Sequence, residues 1–152
     1  MPTLFERVNS DIKDAMRSKD ELRLGTLRML AAAIHNREIE RHGKGATLTE
    51  EDVMDVLTKE AKKRKEAVTL FVQGGREDLA AKERAELDVL QVYLPAAATE
   101  DEIRKAVADA IAEVKPQTEK DFGKVMGAAM KPLKGRADTD AVTRLIKEAL
   151  AS

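Results

Sequence analysis

The chain has 152 residues, 43% of them hydrophobic and 36% charged, and its 27 Lys and Arg nearly balance 28 Asp and Glu for a formal net charge of −1. That is enough apolar material for a packed core in one domain or two small ones, and it excludes both a disordered chain and a histone-like polycation. There is no cysteine, so disulfides, thiolate nucleophiles and zinc ribbons are excluded together, and 3% aromatics with 8 glycines and 4 prolines is a composition of helices, which predicts an all-α protein.

Taken in chain order, Thr3 with Glu6 forms a capping box, and Leu4, Phe5, Val8, Ile12, Ala15 and Met16 share the face of a first helix. Asp20 caps a second helix striped by Leu24, Leu27, Ala31 and Ile34, with Gly43 and Gly45 as its stop. Thr49 opens a third with an acidic first turn; Val53, Val56, Leu57, Ala61, Ala67, Val68 and Phe71 carry it to Gly74 and Gly75. Leu79, Leu87, Leu90 and Leu94 mark a fourth helix, stopped by Pro95 because proline pushes the preceding residue out of the helical region.

Residues 95–98 read as a linker. Beyond them Thr99 with Glu102 predicts a capping box for a fifth helix, with Ile103, Val107, Ala110, Ile111 and Val114, ended at Pro116. Thr118 with Asp121 starts a sixth, carrying Phe122, Val125, Met126 and Ala129, and Asp138 caps a seventh with Ala141, Val142, Leu145, Ile146 and Ala149. The expected architecture is two helical domains, a four-helix unit over 1–94 and a three-helix unit over 99–152. No stretch approaches the ~18 apolar residues of a membrane span, and the N-terminus has no apolar run of signal-peptide length. The expected address is the cytoplasm.

Chemistry-bearing patterns are few. His35 and His42 lack metal-ligand spacing, the three serines stand in no Gly-x-Ser-x-Gly setting, and neither nucleotide-binding fingerprint occurs. No catalytic residue, metal or cofactor is expected. Two basic features stand out instead. Lys59, Lys62, Lys63, Arg64 and Lys65 crowd one helix; Arg64 falls at near-core spacing between Leu57 and Ala67, which predicts partial burial against Glu86 or Glu38. With Arg28, which leans inward from the second helix's stripe, Lys62 and Arg64 form a secondary set of anion-site residues, and the Lys59 to Lys65 face is also open to a protein partner.

From Lys115 to Arg136 six Lys or Arg face two acids, a local +4 in a chain of net −1. Within it Gly123 and Gly127 stand four apart, clearing a strip of helix for close approach of another backbone, whether a packed helix or a sugar-phosphate chain. Lys124, Lys131, Lys134 and Arg136 ring that strip.

Several of these segments, Leu27-Arg28-Met29-Leu30, the Lys59 to Glu66 run, Gly75 to Leu79, Tyr93-Leu94-Pro95, Gly123 to Gly127 and Lys134 to Asp138, occur in an order that resembles the YqeY family of the GatB/YqeY domain class. The likeness spans nearly the whole chain. It implies a stand-alone bacterial helical protein similar to the tail of the B subunit of the tRNA-dependent amidotransferase, a carbon-nitrogen ligase with glutamine as amido-N-donor. In that enzyme the tail holds tRNA while the chemistry lies elsewhere. Carried to this chain, the role falls on Gly123, Lys124, Gly127, Lys131, Lys134 and Arg136. The expected function is a tRNA-binding or tRNA-associated accessory module without catalysis of its own; the alternatives are a subunit or enzyme of amide transfer and a protein-interaction adaptor. The scarcity of aromatics favours recognition of tRNA or another structured RNA by shape and phosphate over stacking on single-stranded bases.

Overall fold

The computed structural model describes residues 1–42 and 47–151, and over them the protein is all-helical. Seven α-helices are present among the described residues: α1 (Leu4–Ser18), α2 (Glu21–His42), α3 (Glu50–Gln73), α4 (Glu77–Gln91), α5 (Glu100–Val114), α6 (Phe122–Leu133) and α7 (Thr139–Ala151), with a 3-10 turn at Glu119–Asp121. The chain divides into two compact units, Met1–Leu94 and Pro95–Ser152. Residues 95–98, expected as a linker, fall within the second. Gly43 and Gly45, expected to stop α2, lie outside the described residues.

In the first unit the expected box forms, Thr3 accepting from the Glu6 N–H and Glu6 reaching back to the Thr3 N–H, and the acidic first turn expected after Thr49 supplies a second one, with Asp52. Each pair satisfies two helix-end N–H groups that would otherwise lack partners. Glu50 adds a long-range tie, accepting from the Leu4 N–H at 3.0 and 3.2 Å with its two carboxylate oxygens. Asp52 also takes an ion pair from Arg41 across the α2 to α3 connection. The core gathers Leu4, Val8, Leu27, Leu30, Ile34, Val53, Leu57, Ala61 and Leu90, and α3 packs most extensively against α4.

The buried face of α2 is turned from the expected one. Thr26, Leu27, Leu30 and Ile34 are buried, whereas Leu24 and Ala31 are half-buried and Arg28 is exposed. The helix carries apolar residues on two faces, so periodicity alone could not choose between them. Met16, expected on the core face of α1, is likewise exposed. Tyr93 is buried, with its hydroxyl donating to Asp11 and the Arg7 guanidinium 5.4 Å from its ring centroid. Burial first, then the Asp11 carboxylate, push its hydroxyl well above the usual tyrosine range.

In the second unit Ile103, Val107, Ala110, Val125, Ala129, Leu133, Val142, Leu145 and Ile146 form the core, with Phe122, Met126 and Met130 packed against it. Helix α5 closes with Lys115 in the left-handed conformation ahead of Pro116. The Thr99 box forms in one direction only. Thr99 accepts from the Glu102 N–H at 3.1 Å, but the Glu102 carboxylate pairs with Arg136. The start of α6 also differs: Thr118 makes no side-chain cap, and Asp121 accepts from the Gln117 N–H at 2.9 Å across the 3-10 turn.

Candidate functional site

Helix α6 sets out the basic segment as two opposite faces. Val125, Ala129 and Leu133 are buried, so the helix lies with that side on the core. At 100° per residue, Gly123, Lys124, Gly127 and Lys131 then share an arc of about 100° on the far side. All four are exposed. A Cβ built on Gly123 or Gly127 meets nothing within 4 Å, so neither glycine accommodates a neighbouring helix of its own unit. Of the two readings of the glycine pair, close internal packing is therefore excluded. What stays is bare backbone facing solvent between lysines.

Lys124 lies 3.8 Å from Asp121, three-quarters exposed, a pair of small energetic weight that a stronger anion can displace. The Asp121 carboxyl is held below the usual range chiefly by the Gln117 N–H, which outweighs the opposing effect of burial, with smaller help from the Thr118 N–H and the Lys124 charge. Lys134 is exposed at the end of α6, and Lys120, outside the expected set, is exposed on the 3-10 turn just before it.

Arg136 is different. Gly135 turns the chain with φ 76, a conformation only glycine adopts without strain, and Arg136 follows with its N–H on the Leu133 carbonyl at 2.8 Å. Its Nε donates to the Ala96 carbonyl at 3.0 Å, its Nη2 pairs with Glu102, and its own carbonyl accepts from the Ala98 N–H at 2.7 Å. Those bonds make it a fastener for the segment before α5. The expected site thus contracts to the α6 strip and the lysines along it.

The secondary set does not assemble. Arg28 and Lys62 are exposed, while Arg64 is only 6% exposed. The Arg64 Nη1 donates to the Glu60 carbonyl at 3.1 Å and to its carboxylate at 3.3 Å, and Nε sits 3.4 Å from Glu86, close enough to pair but too poorly aligned for a hydrogen bond. Of the two acids expected for it, Glu86 is the partner. Lys59, Lys62, Lys63 and Lys65 stay on the solvent side, Lys63 bridging to Glu60 at 3.3 Å.

Two shallow grooves open on the second unit, of about 250 Å³ beside Arg104, Val107, Leu145 and Glu148 and about 150 Å³ beside Lys105, Pro132 and Arg136. Neither brings a nucleophile to a base. His35 is exposed, no group of three or more His, Asp or Glu converges as metal ligands would among the described residues, and no described helix is long and apolar enough to cross a membrane.

These features define an all-helical protein whose distinctive surface is an open, basic, glycine-floored helix face. The chain belongs to the Yqey-like protein family, whose model matches residues 5–150. Its relatives include "Altered inheritance of mitochondria protein 41, mitochondrial" of Pyrenophora tritici-repentis, 35% identical over 152 residues covering 98% of this chain and 82% of that one. Proteins of the same name from Saccharomyces cerevisiae and Lachancea thermotolerans are 36% and 34% identical, over 57% and 71% of this chain. There the matched stretch spans only 46% and 58% of the relative's own length. The names also correct an expectation. These relatives are fungal and named as mitochondrial, which overturns the bacterial setting that the resemblance implied and the cytoplasmic one expected from the lack of long apolar runs, a feature that carries no address.

Proposed function

We propose that the protein is a holding module for structured RNA, tRNA foremost, that grips phosphates with the outer face of α6 and performs no chemistry of its own. The observation that carries this reading is the emptiness above Gly123 and Gly127. Bare helix backbone lets a sugar-phosphate chain approach closely, and Lys124 and Lys131 flank that approach on the same arc. The resemblance to an amidotransferase tail supports the choice of tRNA among anions and goes with two separate domains, four helices and three. Arg136 is left outside the contact set, because its Nε and Nη2 already hold Ala96 and Glu102.

The test is a binding titration with total and organellar tRNA over a salt series. We expect binding that weakens steeply with salt, the log-log slope falling by roughly 0.7 to 0.9 for each phosphate contact removed. Lys124→Glu with Lys131→Glu should lower affinity at least about tenfold at low salt. Gly127→Leu should do likewise by occupying the strip, with the helical circular dichroism unchanged. Absence of binding at low salt, or binding indifferent to both variants, would sink the reading.

A further inference from the structure

The outer face of α2 belongs to no site described so far. Leu22, Gly25, Met29, Ala32, Asn36 and Ile39 follow one another at alternating steps of three and four residues, and all six are exposed. Leu22, Met29 and Ile39 are each more than 40% exposed, although they are large and apolar. A Cβ on Gly25 meets nothing within 4 Å, so the row is as open at its smallest member as at its largest. The opposite side of the same helix, Thr26, Leu27, Leu30 and Ile34, is already spent on the core. Steps of three and four over six positions are the spacing of a coiled-coil seam, a stripe about 100° wide that is satisfied by one further helix.

We propose that this face is a self-association surface, on which α2 of a second copy of the chain packs in parallel. Two features of the row select that occupant. Asn36 stands among apolar positions, where an amide facing hydrocarbon would lose its hydrogen bonds; a parallel second copy presents its own Asn36 at the same level, and the two amides satisfy each other. An exposed His35 also flanks the seam on the side where, in a parallel pair, it meets the residue five positions on in the other helix, and that residue is the exposed carboxylate Glu40. Six side chains a side fall well short of the 20–30 residues of a standard interface, so the dimer is weak and forms at high local concentration.

The absence of cysteine in the chain makes the test clean. Sedimentation of the full protein from ~5 to ~500 μM, a range suited to an interface of this size, should show mass rising toward a dimer. Under mild oxidation Asn36→Cys should cross-link to itself many times faster than Lys62→Cys, an exposed position on α3. Leu22→Glu with Ala32→Glu should abolish association while leaving the helical circular dichroism intact, and Asn36→Leu should tighten it by about tenfold or more, since a buried polar pair fixes register at a cost in stability. A monomer throughout the range overturns the proposal. So does a dimer in which Asn36→Cys links no faster than Lys62→Cys, which would indicate another face or an antiparallel pair.

Discussion

Helices α3 and α6 each carry a run of cations that look alike in sequence and do different things in the fold. On α3 the charges are continuous, and the one at core spacing, Arg64, is drawn inside to meet Glu60 and Glu86. On α6 they are interrupted by glycines, the core side is wholly apolar, and the lysines are left on an open strip. The contrast teaches that the number of charges says less than what lies between them. Side chains between cations bind the helix to its own protein; bare backbone leaves room for something else.

The contrast predicts mutational effects of very different size. Arg64→Ala should destabilise by about 3 kcal/mol, because it strands the buried Glu86 carboxylate while Glu60 keeps Lys63, and Lys62→Ala two residues away stays within about 0.5 kcal/mol. Urea unfolding followed by circular dichroism measures both, and equal small losses would erase the distinction drawn for α3. Arg136→Ala comes next, at about 1 kcal/mol, reduced from the value of a buried pair because its partner Glu102 is 45% exposed. Smallest and opposite in sign, Gly127→Ala should stabilise by about 0.5–1 kcal/mol, since alanine is the better helix former and its methyl group meets no neighbour. Destabilisation there would mean that the strip is packed after all.

What the sequence made legible was mostly local. The Thr3 box is a contact three residues apart, readable from residue types alone, and the rule that a cation at core spacing needs an acid left Glu86 and Glu38 for Arg64, of which the fold uses Glu86. Glu102 escaped that logic because its carboxylate is claimed by Arg136, 34 positions away, a competition invisible to local pattern. Arg28 was misplaced for another reason: a helix apolar on two sides gives no single phase to its periodicity. The glycine strip lay between, since the spacing left open whether the strip is packed, and only the packing of α6 showed that no helix of its own unit covers it.

The tie between Glu50 and Leu4, with the ion pair of Arg41 and Asp52, also bears on how the first unit tolerates a broken chain. Both links join the α1–α2 half to the α3–α4 half, and the core of Leu4, Val8, Leu27 and Leu30 with Val53, Leu57 and Leu90 is shared between the halves. The halves thus share a matched apolar seam and two polar latches, and two separately made fragments, 1–42 and 47–152, should find each other when mixed, which recovery of helical circular dichroism would check.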